Sequence, residues 1–231
     1  ANTKGENNQL FTNEEGKFKS VTTGAIVTDG GTSVGGAWGD YDNDGDLDMY
    51  QVNQLPDKKL ILVNKIPREQ FNLFRDKLYR NDNGIFKDVS SQVGISSDVS
   101  YGLSVNASDF NNDGWTDLYV ANDYAEPDFM YYNNGDGTFT NVINEELKHI
   151  TQLSIGSDTG DINNDGFMDL MTTDMTPEDH YRAKTNMASM STEIFDKMVD
   201  AGAHYQYLSN TLQVNTGLGT FSDVASMAGV S

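Results

Sequence analysis

Three stretches of the chain set oxygen-bearing side chains at alternate positions around a glycine, a pattern suited to holding a hard cation. They are Asp40-Tyr-Asp42-Asn-Asp44-Gly45-Asp46-Leu-Asp48, Asp109-Phe-Asn111-Asn-Asp113-Gly114-Trp115-Thr-Asp117 and Asp161-Ile-Asn163-Asn-Asp165-Gly166-Phe167-Met-Asp169. Carboxylate or amide oxygens fill positions 1, 3, 5 and 9, with glycine at position 6 each time. Calcium takes roughly six to eight oxygen ligands at about 2.3–2.6 Å. A tight loop aims alternate side chains inward, and glycine supplies the backbone angle that closes it. Position 7 changes from loop to loop (Asp46, Trp115, Phe167), as suits a ligand supplied by the main-chain carbonyl. The expected cofactor is Ca2+, at three sites. Softer metals want His or Cys, which the loops lack. Magnesium keeps its waters and demands a stricter octahedron.

An EF-hand would need Glu at position 12 and flanking helices. Here position 12 is Gln51, Val120 and Thr172. Plain Asx-rich turns are the duller alternative, and recurrence in one register argues against it. The first loop offers four ligand carboxylates (Asp40, Asp42, Asp44, Asp48), and the others three each, because Asn111 and Asn163 stand at position 3. Ligand charge helps set affinity, so the first loop is expected to fill first.

The overall charge agrees. The chain carries 35 acids against 15 bases, a formal charge of −20. That makes nucleic acid a poor candidate partner, since phosphate binding wants a basic face. It also makes the folded chain repel itself unless cations neutralise part of it. Ten of the acids sit at ligand positions. There is no cysteine, hence no disulfide and no thiolate metal site, and no apolar run long enough to span a membrane. The start, Ala1-Asn2-Thr3-Lys4, has no apolar leader and reads as a mature end or an internal cut.

The elements that carry the loops are visible as a repeat. Leu10–Val21, Leu78–Val89, Met130–Val142 and Leu212–Val224 share one pattern, with Phe18, Phe86, Phe139 and Phe221 as its landmarks. Glycine stands two residues before each Phe and valine three after. A short apolar-polar run, an Asn/Gly turn and a second run form a β-hairpin. The first Asp of each loop follows the preceding Phe by 22, 23 and 22 residues. Segments leaving the loops, such as Leu47–Val52 and Thr116–Ala121, are rich in β-formers and too short for helices.

The unit is therefore strand, acidic loop, strand, hairpin, and four strands repeated about an axis make a propeller blade. The expected fold is all-β, a partial seven-bladed type of propeller. The expected organisation is an orphan hairpin at 8–22 and blades at 33–90, 102–143 and 153–225. A fourth Asp would fall about 22 residues beyond Phe221, past Ser231, so the sequence reads as a piece of a longer chain. Residues 54–77 and 175–206 interrupt the period as insertions. The second is expected to be helical, opening at Thr176-Pro177-Glu178-Asp179, with Ile194, Phe195, Met198 and Val199 on one face. Six of the nine methionines lie from Met168 to Met198 and read as a flexible packing surface.

On Gly39–Asp48, its two siblings and hairpins such as Asn134-Gly-Asp-Gly-Thr-Phe139, the chain resembles the FG-GAP/VCBS repeat proteins, which include the integrin α-subunit propeller. The resemblance covers nearly all the chain outside the insertions. The long second insertion, with Tyr205-Gln206-Tyr207 and Asn210–Gln213, is similar to that of large bacterial secreted or surface members. It implies a seven-bladed propeller with calcium between the first two strands of a blade.

Fold alone does not fix function. The first expectation is a non-enzymatic extracellular module for adhesion or for binding an unidentified protein or glycan, stiffened by calcium. Another is a structural unit that assembles into an array or filament. Eight of the 15 bases lie from Lys58 to Lys87, while residues 88–181 hold 18 acids and only Lys148, a candidate homotypic contact. A third is a polysaccharide-active enzyme using His149, His180 or His204, none of which sits in a recognisable catalytic spacing. Phe71, Phe74, Tyr181 and Tyr205 could stack on sugars, with core packing as the plainer role. Asn106-Ala-Ser108 is a glycosylation sequon placed on a strand feeding a loop, where it is expected to be unused.

Overall fold

The computed structural model describes residues 6–55, 67–96, 99–123, 126–175 and 192–231. The expected helix start at Thr176–Asp179, His180 and Tyr181 lie outside the described residues, as do Lys58, Lys59 and Lys65.

The fold is all-β. An N-terminal hairpin, β1 (Leu10–Glu14) and β2 (Lys17–Val21), precedes three antiparallel four-stranded sheets. The first sheet is β3 (Ser33–Gly39), β4 (Asp48–Asn53), β5 (Lys77–Asp82) and β6 (Ile85–Asp88) in that spatial order. The second is β7 (Gly102–Ser108), β8 (Asp117–Asn122), β9 (Phe129–Asn133) and β10 (Phe139–Asn141). Between the second and third sheets, β11 (Ile150–Thr151) forms part of a separate two-stranded pairing. The third sheet holds β12 (Ser154–Gly160), β13 (Asp169–Asp174), β15 (Thr211–Asn215) and β16 (Phe221–Asp223). The remaining strand, β14 (Gln206–Tyr207), pairs in parallel with β11.

Each sheet is one blade, and the acidic loops join β3 to β4, β7 to β8 and β12 to β13. The first strands lie side by side, β3 against β7 and β7 against β12, so the blades radiate from a common edge. The same register shift interrupts each inner pair, at Ser33/Gly35, Gly102/Ser104 and Ser154/Gly156.

Strand alternation sends successive residues to opposite neighbours. Tyr50 and Val52 of β4 pack with Leu118 and Val120 of β8 and Tyr131 of β9, between the first and second blades. The intervening Tyr119 and Ala121, with Met130, turn the other way and meet Leu170 and Phe221 of the third blade. A smaller cluster (Ile26, Val27, Tyr79, Phe86, with Leu10) joins the N-terminal hairpin to the first blade. Burying a large apolar side chain stabilises by about 1.5–3 kcal/mol, and these cores all lie between neighbouring units, so a blade depends on its neighbours.

Of the second insertion, the described part holds a helix at Thr192–Asp200, followed by Gly202 with φ 89°. Phe195 of this helix stacks on Tyr207, with ring centroids 5.6 Å apart, and lies 6.2 Å from Tyr205. In the first insertion a 3-10 helix spans Arg68–Leu73, and Phe71 and Phe74 are half-buried. No helix of the described residues is long and apolar enough to cross a membrane.

Candidate metal centre

The three loops close in the same way. The carboxylate at position 1 accepts two main-chain N–H bonds: Asp40 from Asp44 (3.1 Å) and Gly45 (3.0 Å), Asp109 from Asp113 (3.1 Å) and Gly114 (2.8 Å), Asp161 from Asp165 (3.0 Å) and Gly166 (2.9 Å). The carboxylate at position 5 accepts the N–H of position 7, from Asp46, Trp115 and Phe167. Left-handed backbone occurs at the position-6 glycines (φ 94°, 89° and 91°) and also at position 4, where Asn43, Asn112 and Asn164 have φ 55°, 62° and 57°. Asparagine tolerates that region better than most residues. Sequence reading passed over it, although asparagine stands there in all three loops.

Position 9 staples the loop to its blade. Asp48 accepts N–H bonds from Tyr41 (3.0 Å) and from Asn81 of β5 (2.8 Å). Asp117 does the same with Phe110 (2.9 Å) and Asn133 (2.8 Å), and Asp169 with Ile162 (2.9 Å) and Asn215 (2.8 Å). Each carboxylate oxygen keeps a further lone pair for a ligand role. Burial pushes Asp48 up to about 6 and Asp117 up to about 7.

Position 7 reaches the hairpin turn of its own blade. Asp46 accepts the Asn83 N–H at 2.9 Å. Trp115 and Phe167 instead lie over Gly135 and Gly217, where any Cβ would come within 2.8 Å and 2.7 Å of the rings. These side chains are thus occupied elsewhere, which leaves the main-chain carbonyl as the group position 7 could offer an ion.

The loops differ at position 3. Asn111 donates its amide to Asp113 at 2.9 Å, and Asn163 to Asp165 at 2.8 Å. Asp42 cannot donate, and its Oδ1 is buried without a hydrogen-bond partner. Its acidity is weakened by burial and then by the nearby Asp44. Carboxylate oxygens of Asp40, Asp42 and Asp48 lie within 4.8 Å of one another, the one such group of three acidic or His side chains among the described residues. A bare, buried carboxylate oxygen is costly, and a cation satisfies it. The donor set, oxygen only and acid-rich, fits calcium.

The loops also join neighbouring blades. Tyr41, at position 2 of the first loop, packs edge-on against Phe139 of the second blade at 6.1 Å, and Phe110 packs against Phe221 of the third at 6.3 Å. The next blade's asparagine completes the joint: Asn133 donates to the Tyr41 carbonyl (2.8 Å) and Asn215 to that of Phe110 (2.7 Å). At the opposite end of the blades, two buried carboxylates form a second joint. Asp76 accepts from Tyr50 (3.0 Å), the Asn53 N–H (2.9 Å) and Ser100 of the following blade (3.1 Å). Asp128 accepts likewise from Tyr119, the Asn122 N–H (2.7 Å) and Ser154 (3.1 Å). The third blade exchanges the pair, with the Asp174 N–H donating to Asn210. Sequence reading missed this set, whose only signal is an acid two residues before Leu78 and Met130.

The other candidate residues do not converge. His149 pairs with Asp223 at 3.0 Å, whereas His204 contacts the carbonyls of Ile143 and Leu147. Asn106 of the sequon is half-buried and accepts from Ser157 of the next blade. Within the basic stretch, Lys77 is buried against Asp29, and Arg80 and Lys87 both pair with Asp82.

The model of the FG-GAP-like repeat matches residues 1–50, 74–120 and 109–172. No curated protein matches the chain. Among solved structures, an Agrocybe aegerita lectin described as recognising non-reducing terminal N-acetylglucosamine is similar over 96% of this chain, with 15% identity and a TM-score of 0.46. The chain spans about half of that structure, 49% of its length.

Proposed function

This chain belongs to the FG-GAP-like repeat family, and from that premise we propose that it is a calcium-stiffened, non-catalytic β-propeller module that binds a protein or glycan outside the cell. The observation that carries the calcium reading is the first loop, where three carboxylates converge and Asp42 Oδ1 is buried without a donor. Asp40, Asp42, Asp44 and Asp48, with the Asp46 carbonyl, would hold the first ion. Asp109, Asn111, Asp113, Asp117 and the Trp115 carbonyl would hold the second, and Asp161, Asn163, Asp165, Asp169 and the Phe167 carbonyl the third. The ion supplies positive charge where the loop concentrates negative charge. The protein's own residues carry that rigidity outward. Tyr41 and Phe110 are buried in the next blade, so a firm loop holds the joint beside it firm.

Binding to the folded form alone stabilises it by mass action, about 2.7 kcal/mol at a free concentration 100 times Kd. Melting in chelator, calcium and magnesium tests the reading, with titration calorimetry to count sites. Calcium is expected to raise Tm clearly above both other conditions. An identical Tm in chelator and calcium would sink it. The non-catalytic reading is supported by the family and by the separate surroundings of His149 and His204 among the described residues. A glycan array probed with and without calcium addresses the ligand, and calcium-dependent retention of a defined glycan class is the supporting result.

A further inference from the structure

We propose that the three loops take up calcium cooperatively, with Asn133 and Asn215 as the positioning residues that couple one loop to the next; the coupling presupposes the calcium reading proposed above. Neither asparagine is a candidate ligand. Each holds a ligand of its own blade's loop with its main chain and the preceding blade's loop with its side chain.

An unbroken line of hydrogen bonds runs through the position-9 carboxylates of all three loops. The Tyr41 N–H donates to Asp48 (3.0 Å), and the Tyr41 carbonyl accepts the Asn133 amide (2.8 Å). The Asn133 N–H donates to Asp117 (2.8 Å), whose other oxygen accepts the Phe110 N–H (2.9 Å). The Phe110 carbonyl accepts the Asn215 amide (2.7 Å), and the Asn215 N–H donates to Asp169 (2.8 Å). Every residue on this line is buried. Each asparagine also clasps its own loop through a position-8 carbonyl, that of Thr116 or Met168, both at 3.3 Å. Its side-chain oxygen accepts the N–H of Gly135 or Gly217, which fixes the end of the amide that faces the carbonyls.

Asp117, once fixed as a ligand, holds Asn133 in place. Asn133 in turn holds the Tyr41 peptide, whose N–H orients Asp48, a ligand of the first loop. The same sequence runs from Asp169 through Asn215 and Phe110 to Asp117. Contiguous bonds of this kind can carry coupling between sites. Ordering achieved at one loop is then already achieved for part of the next, which gives positive cooperativity without a change of conformation. The electric field acts the other way, because filling one loop removes negative charge that attracts calcium to its neighbour. At 1 M salt the screening length falls to about 3 Å, which isolates the coupling carried by the bonds. Asn81 of the first blade provides the control, since its amide donates to Leu47 of its own loop (3.0 Å) and bridges no two loops.

Calcium titration in that salt, followed by the amide NMR signals of Gly45, Gly114 and Gly166, reads each loop separately. Asp113→Ala removes an exposed ligand of the second loop and leaves the line of bonds intact. It should weaken calcium binding at the first and third loops by about fivefold or more. Added to Asn133→Ala, the same change should leave the first loop unaffected and still weaken the third. Added to Asn215→Ala, it should do the reverse, and added to Asn81→Ala it should weaken both. First and third loops indifferent to Asp113→Ala, or a loss that survives at the loop the asparagine variant uncouples, would overturn the coupling and leave the calcium reading standing. A wild type with no calcium response at any of the three glycines would overturn both. The comparison of wild type with Asp113→Ala alters no joint, so it decides the matter even where an asparagine variant does not fold.

Discussion

At position 3 of the first loop an aspartate stands where the other two loops have asparagine, and the consequence is local and electrostatic. Asn111 and Asn163 each donate to the position-5 aspartate, damping the repulsion in their loops. Asp42 has no proton to give, and its buried Oδ1 lacks a partner. Asp42→Asn should therefore raise Tm in chelator while weakening calcium binding at that loop by roughly tenfold or more, read by calorimetry and by a smaller calcium-induced rise in Tm. Asp76 and Asp128 present a different case, since burial lifts them to about 6 and about 7. A carboxyl with a raised folded pKa favours the protonated form in the fold. Its stabilising contribution is fully present below the ordinary carboxylate range and is lost as pH rises through about 6 to 7. In chelator, Tm should rise as pH falls from neutral or above towards 5, and Asp128→Asn should flatten that dependence. An unchanged slope in the variant would assign the effect to other carboxyls, Asp48 and Asp117 first. Asn210 already occupies the corresponding place in the third blade, so the substitution has a precedent within this fold.

Among the elements, the junctions between blades decide stability, because the cores lie there. Gly94 has φ 86°, and a Cβ on it would meet the Phe139 carbonyl oxygen at 2.4 Å. Gly94→Ala combines left-handed strain with a backbone clash, and a loss of about 2 kcal/mol or more is expected in chemical denaturation. Asn133→Ala removes the donor to the Tyr41 and Thr116 carbonyls, in a buried setting. It should cost about 1–3 kcal/mol. Asn81→Ala is the internal comparison: that amide donates to Leu47 and accepts from Gly84, both of its own blade and at exposed sites, so its loss should be smaller. The four hairpins were legible from Phe, Gly and Val at fixed offsets, since a hairpin is specified by adjacent residues. The exchanged Asp76/Asn53 and Asn210/Asp174 joints were not. Their partners sit over 20 residues apart across an insertion, and no local rule assigns an isolated acid to a neighbouring strand.

For the whole molecule the governing quantity is charge. At −20, with eleven acids gathered in three loops, the folded state repels itself. Added sodium chloride should raise Tm in chelator by screening. Calcium should shrink that salt response by neutralising the loops directly. A salt response equal in both conditions would show that the repulsion lies outside the loops.

What the sequence alone determined is whatever closes within a few residues. The oxygen pattern, the glycine at position 6, the hairpin turns and the repeat period are written locally, and together they yielded the blades and the all-β fold. Tertiary structure alone decided which of these local units meet. Position 2 is buried in Tyr41 and Phe110 because the following blade lays Phe139 and Phe221 over them. Asn133 is a joint because it meets a carbonyl 92 residues away. The aspartate at position 3 of the first loop is written in the sequence, but that its Oδ1 lies buried without a partner was decided by the fold. Such differences arise from distances through space, which the spacing along a chain does not encode.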